Sequence, residues 1–397
     1  MSKILIYDDE SNYQESLRER LVALPIATKQ YEIELLSQED FNKTIETLRH
    51  RQRQLRETGS WDDKTTPIDL ASIFVVDYDL VNNEVDSFLT GENIAYIARC
   101  FSKCGLIVAL NQYPNVDFDL TLKGHLESFA DLNINGEQLS NANLWGNESK
   151  EEFQPWYWPL LPSFQRNYER RIEDVKLNLD MPIWELLGFD RDLFDTLPRS
   201  ITQFIGQKPD QKPSETTSRQ FVLESDNGMR PKDIKNASDD ILARVGAARI
   251  SKWLERLVLP ELDILVDAPH LVSRFPSLMH GDYKNDKTIW NQTTHLTSYT
   301  ELGLKTDLIE DFRFKDKEYW LSRPAWFWDG VRECNEILEV REPWETFRPN
   351  WVFCEDISKF DEGNQIEFVA KVESPFARRF VKGLDGKKYQ PRVRFSL

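Results

Sequence analysis

The sequence predicts an α/β fold: a doubly wound, parallel five-stranded sheet over residues 1–128, followed by a larger α+β region. Three observations carry that expectation. Short apolar runs alternate with helix-like stretches between Lys3 and Lys123, and short strands separated by helices call for parallel pairing with right-handed crossovers. The run Ile73-Phe74-Val75-Val76 is continuous in branched and aromatic residues, as a strand covered on both faces should be. Charged residues close three of the runs: Asp8 and Asp9 the first, Asp77 the third and Lys123 the fifth.

In chain order, Ile4–Tyr7 is the first strand. Ser11 is placed to cap a helix that carries Leu17, Leu21 and Leu24 and stops at Pro25. Tyr31–Leu36 is the second strand. A polar helix over residues 38–57 sets Phe41, Ile45 and Leu48 on one face, and Gly59, Trp61 and Pro67 mark the loop after it. Leu70–Val76 is the third strand, 91–102 a helix ended by Gly105, Leu106–Leu110 the fourth strand and Phe118–Leu122 the fifth.

Residues 129–205 read as a connector. It has Asn-rich loop signals up to Trp145, an aromatic cluster at Trp156, Tyr157 and Trp158 suited to packing, and helix from Arg166 to Leu187 broken at Pro182. Residues 206–236, rich in Lys, Pro, Ser, Thr, Gln and Asp, read as a linker or long surface loop. Residues 237–397 form the C-terminal α+β effector or interaction region. Its helix from Ser238 carries Ile241, Val245, Ala248, Trp253 and Leu257 on one face, and a small β element is expected around Gly383–Gly386. The strand ending Asp267-Ala268-Pro269-His270 reads as structural or loop-capping, because no partner motif accompanies it.

Composition narrows the function classes. With 397 residues, 40% apolar and 12% aromatic, the chain can build more than one core. A formal charge of -17 argues against nucleic acid or an anionic membrane as partner, since both are held by clustered Lys and Arg. The basic stretch Lys371–Leu397 reads as a solvated tail or edge. No signal-peptide pattern or apolar run of transmembrane length occurs. Cys100, Cys104, Cys334 and Cys354 lack zinc-site spacing and read as reduced core thiols of a cytoplasmic protein, Cys100 and Cys104 in one helix.

Acids at the carboxyl ends of neighbouring parallel strands converge on the edge where α/β sheets place their sites. Asp8, Asp9 and Asp77 there are suited to holding Mg²⁺, which carboxylates and water bind, and to phosphoryl chemistry on an aspartate, with Lys123 as a compact positive charge for a phosphoryl oxygen.

These residues resemble the active site of response-regulator receiver domains of two-component signalling, over about the first third of the chain. The resemblance implies a flavodoxin-like strand order, Mg²⁺ held by Asp8 and Asp9 with Asp77, Asp77 as phosphoacceptor, Lys123 as phosphate contact and a histidine kinase or phosphotransfer protein as donor. Asn111 stands where the family has Ser or Thr, and Gly124 where it has proline. The span from Asn111 to Lys123 is short for the usual helix between the last two strands. Phosphate capture is therefore expected in preference to the usual relay. The implied protein is a phosphoacceptor and not a multiple-turnover enzyme, with a C-terminal region that binds a protein partner. Its architecture is similar to the phosphate-buffering component of Detocs-like anti-phage phosphorelays. Two alternatives stand beside it: a non-catalytic scaffold with a degenerate receiver, and a haloacid-dehalogenase-like phosphatase with Asp77 as nucleophile, Asp79 as general acid, and Asn111 and Lys123 in its later motifs.

Overall fold

The computed structural model describes residues 2–62, 64–80, 89–110, 128–146, 160–205, 210–224, 237–261, 264–294, 299, 302–334, 351–355, 357, 359–363, 367–368 and 380–382. A wholly parallel sheet in the order β2-β1-β3-β4-β5 is formed by β1 (Ser2–Tyr7), β2 (Tyr31–Leu35), β3 (Ile73–Asp77), β4 (Leu106–Leu110) and β5 (Leu132–Ile134). Its register pairs Ile4 with both Ile33 and Ile73, Ile73 with Leu106, and Val108 with Leu132.

Alternation along each strand divides the side chains between two cores. Ile4, Ile6, Ile73 and Val75 face one side with Leu17 and Leu21 of helix α1 (Ser11–Val22). Leu5, Tyr7, Phe74 and Val76 face the other, under α2 (Gln38–Thr58) and α3 (Gly91–Phe101), which contribute Phe41, Leu48, Ile94 and Phe101. Helices therefore cover both faces of the sheet.

Local chemistry sets the helix ends. Ser37 Oγ accepts the Asp40 N–H at 3.1 Å to begin α2, and Gly59 ends it with φ 79°, the left-handed conformation that glycine adopts without penalty. The expected cap at Ser11 is corrected: Ser11 is the first residue of α1, and Glu10 holds the cap position without a side-chain cap bond. Cys104 lies beyond the end of α3, not in one helix with Cys100, and both thiols are buried.

The fifth strand is also corrected. The expected strand 118–122 falls outside the described residues, but the place beside β4 belongs to Leu132–Ile134, within the stretch read as Asn-rich loop and past the boundary expected at residue 128. Three residues are too few to display a period, and Asn133 disguises a strand whose Leu132 and Ile134 are 1% exposed.

The later chain packs on both faces of this sheet. Helices α4 (Leu161–Leu177) and α5 (Asp239–Trp253) join the α3 side, where Phe74 and Val76 share a core with Tyr168, Val245 and Trp253. On the α1 side, Ile73 and Val75 share a core with Val266, Trp326 and Phe353. The antiparallel pair β6 (Leu265–Asp267) and β7 (Ala325–Phe327) contributes to both. A four-stranded mixed sheet comprises β8 (Trp351–Cys354), β9 (Lys359–Glu362), β10 (Glu367–Phe368) and β11 (Phe380–Val381). The β element expected around Gly383–Gly386 and the cluster at Trp156–Trp158 lie outside the described residues.

Two further expectations change. Helix α5 is not apolar on one face only: Leu242, Ala243, Val245, Ala247, Ile250 and Trp253 are all buried, because its small residues let neighbouring elements approach closely. A Cβ on Gly246 would lie 3.3 Å from Val175 and 3.4 Å from Val222. Within the expected linker, residues 218–224 are helical, with Phe221 and Val222 fully buried.

Candidate functional site

From β1 the chain reaches β2 on one side, and from β3 it continues to β4 and β5 on the other. Such a reversal opens a crevice beyond the carboxyl ends of the two central strands, where open α/β sheets bind ligands. Asp8 and Asp9 follow β1 directly, and Asp77 is the last residue of β3. One carboxylate oxygen from each lies within 4.8 Å of the other two. Asp8 and Asp77 are 4% exposed, and Asp9 is half-buried.

Backbone groups hold the carboxylates in place. The Glu10 N–H donates to Asp8 Oδ1 at 2.8 Å, and the Asp79 N–H donates to Asp77 Oδ2 at 3.1 Å. Gln14 of α1 donates Nε2 to the Ile6 carbonyl at 2.8 Å and the Leu36 carbonyl at 3.0 Å, tying the carboxyl ends of β1 and β2 together. On the other side, Thr90 caps α3 by accepting the Asn93 N–H, and Gly91 presses that helix start against the end of β3.

The electrostatics of the cleft are unfavourable to bare carboxylates. Burial, with the charges of Asp8 and Asp9, pushes the Asp77 carboxyl up to about 7 against the opposing hydrogen bond from the Asp79 N–H. The Tyr7 phenol is raised by burial and by Asp9 and Asp8, and its buried hydroxyl has no hydrogen-bond partner among the described residues. Three oxygen ligands crowded in a cleft of this polarity fit a hard divalent cation, which would neutralise the repulsion they impose on one another.

The sequence expectation for Asp8, Asp9 and Asp77 is thus met in space: the fold brings the three together. Asn111, directly after β4, and Lys123 lie outside the described residues. Lys123 precedes β5 in the chain and so does not close the fifth strand, because Leu132–Ile134 takes that place. Asp79 is exposed, and its backbone N–H, not its carboxylate, bonds to Asp77.

Glu92, in the first turn of α3, carried no sequence signal. It is 5% exposed and accepts Ser128 Oγ at 2.6 Å, while the Ser128 carbonyl accepts Lys252 Nζ at 2.8 Å and a bond from Arg249. The helix beside Asp77 is thereby joined to α5. At Asp267 the capping role is observed, since its carboxylate accepts the His270 N–H at 3.4 Å. It also takes His270 Nδ1 at 2.5 Å and Arg323 Nε at 3.3 Å, and His270 Nε2 meets Glu355 at 3.0 Å. Glu355 and Arg323 are too distant in sequence for any motif to have announced them.

Among the described residues no helix is long and apolar enough to cross a membrane. Comparison of the chain with family models, with curated proteins and with solved structures gave no match.

Proposed function

We propose that the chain is a phosphoacceptor of the receiver type, taking a phosphoryl group on Asp77 with Mg²⁺ held by Asp8, Asp9 and Asp77. The observation that carries this reading is the convergence of the three carboxylates within 4.8 Å at the crevice between β1 and β3. The strand order 2-1-3-4-5 supports it, being the order of flavodoxin-like and receiver folds, whose sites occupy the β1/β3 switch point.

In this reading Asp77 Oδ attacks the phosphorus of a phosphohistidine, the P–N bond breaks as the O–P bond forms, and the imidazole leaves with its electron pair. The cation supplies charge neutralisation for the phosphoryl oxygens. Asp8 and Asp9 orient that charge, and the Asp79 N–H fixes the rotamer of the Asp77 carboxylate. Lys123, by its place in the sequence motif, is the proposed phosphate contact, and Asn111 the proposed amide donor. The donor class is a histidine kinase or phosphotransfer protein, and the region after β5 is the proposed surface for a protein partner, as in an anti-phage phosphorelay.

Incubation with Mg²⁺ and acetyl phosphate, followed by mass spectrometry, tests the assignment. An acid-labile adduct on Asp77 that is absent from Asp77→Asn is expected. Failure of the wild-type chain to form an adduct or to bind Mg²⁺ would leave a non-catalytic scaffold, and an adduct that persists in Asp77→Asn would move the acceptor elsewhere.

A further inference from the structure

The polar face of α4 borders a second cavity, lined by none of the three acids. Ser163, Arg166, Asn167 and Arg170, at helical i, i+3, i+4 and i+7, all line it, while Leu161, Tyr168, Arg171 and Val175 of the same helix are buried. The far wall is the segment 315–324, which contributes Lys315 and Arg323. The cavity holds about 380 Å³, near the lower end of the roughly 300–1,000 Å³ typical of small-molecule sites.

Its charge is opposite to that of the chain. Among the described residues, four cations line it against one carboxylate, Glu318, and Glu318 is paired with Arg313. Arg323 is held by Glu255 at 3.0 Å and Asp267 at 3.3 Å. Among the described residues Arg166 and Arg170 form no ion pair or hydrogen bond. The Arg170 guanidinium lies 4.0 Å from the ring centroid of Tyr319, which fixes its plane. Among the described residues the carboxylate nearest Lys315 in an ion pair is that of Glu310, at 3.8 Å.

Behind this wall, Arg171 donates Nε to the Tyr319 carbonyl at 2.7 Å, and its buried Nη1 has no hydrogen-bond partner among the described residues. It borders a smaller cavity of about 30 Å³ that shares Ser322 with the first. Burial pushes its guanidinium down to about 10, a shift that a nearby anion reverses. Like charges at i, i+4 repel one another on a helix, so folding alone gives no reason to aim Arg166, Arg170 and Lys315 into one hollow of a chain carrying -17.

We propose that this cavity binds a small molecule carrying a di- or triphosphate group, its oxygens taken by Arg166, Arg170 and Lys315. Guanidinium forks match the spacing of phosphate oxygens and lysine adds a point charge. A volume of about 380 Å³ suits a small molecule.

Calorimetric titration of the full chain with sodium pyrophosphate, and in a parallel arm with ATP, both in excess EDTA, tests the proposal without involving the acid cluster. Saturable binding is expected, weakened at least about tenfold in Arg166→Gln/Arg170→Gln, with sulfate bound much more weakly. Both arginines are exposed, so circular dichroism should show the double variant folded. Glu318→Gln, which removes the one acid among the described lining residues, gives a second variant and should tighten binding. Tighter binding of ATP than of pyrophosphate would assign the ligand to nucleotides, and equal binding to the phosphate chain alone; both support the site. Absence of saturable binding of either probe, binding that survives the double variant, or sulfate bound as tightly as pyrophosphate would overturn it.

Discussion

Gly91 stands so close to Asp77 that a Cβ built on it would lie 2.5 Å from the Asp77 carbonyl oxygen and 2.7 Å from the Tyr78 Cα. Contacts that short do not occur between real atoms, and backbone, not a flexible side chain, is in the way. The start of α3 can therefore rest on the end of β3 only because residue 91 has no side chain. Gly91→Ala must move the helix or the strand end, and overpacking of this kind costs about 1–3 kcal/mol. Urea denaturation should show a lower midpoint with unchanged slope, and Mg²⁺ titration a weaker affinity. A variant that keeps both values would mean that the contact between α3 and β3 does not set the site.

Asp77 gives the cleft a pH dependence whose sign is fixed. An unfolded chain releases this proton near 3.9, whereas the folded chain holds it up to about 7 because of burial and the charge of Asp8. Between those values the folded state binds more protons, so its stability falls as pH rises through the window and stays low above it. In EDTA at pH 8, Asp77→Asn should be more stable than the wild type by up to about 4 kcal/mol, with the difference gone below pH 4. Saturating Mg²⁺ at pH 8 should favour the wild type instead. Parallel melting curves of the two proteins across pH 3–9 would show whether the gap follows this course; a gap independent of pH would disprove it.

The acid cluster was legible in the sequence because each of its members follows an apolar run that ends where a strand ends. The runs at Ile4, Ile73 and Leu106 are continuous in residues buried on both faces, so their boundaries are sharp. The strand Leu132–Ile134 was not legible, since its pairing with Val108–Leu110 is a tertiary fact and three residues with a central Asn carry no periodicity. That misplacement put Lys123 at a strand end. Arg166 and Arg170 show helical spacing in the sequence, yet the opposite wall of their cavity comes from Lys315 and Arg323, far along the chain. Asp267 and His270 were noticed for the same reason as the acid cluster, and Glu355 was missed for the same reason as that wall.

At the amino end of the sheet, Asp69 and Arg51 form a buried pair that should govern stability without touching the site. Arg51 Nη1 and Nη2 reach the two Asp69 oxygens at 2.9 and 2.8 Å, with side chains 3% and 4% exposed. Asp69 also accepts the N–H groups of Thr66 and Lys103, both at 2.7 Å. Burial pushes its carboxyl up, but the Arg51 fork and these N–H groups outweigh it and hold it below the ordinary value. Its contribution is therefore present above pH 4 and lost as pH falls through the lowered value. Asp69→Ala strands a buried guanidinium and should cost about 3–5 kcal/mol, read by chemical denaturation at pH 7. A loss below about 1 kcal/mol would show that the pair behaves as a surface one.

Asp79 separates the phosphoacceptor from the phosphatase alternative. As the general acid of a phosphatase, its carboxylate would be required for turnover. In the structure its backbone N–H holds Asp77 Oδ2 at 3.1 Å, and that group survives replacement of the side chain by an amide. Asp79→Asn should therefore leave the Asp77 adduct from acetyl phosphate within about twofold of the wild-type yield, because positioning of the nucleophile is retained. Both proteins should release little phosphate from p-nitrophenyl phosphate. Steady hydrolysis of that compound by the wild type, abolished in Asp79→Asn, would instead establish the carboxylate as a proton donor and the chain as a turnover enzyme.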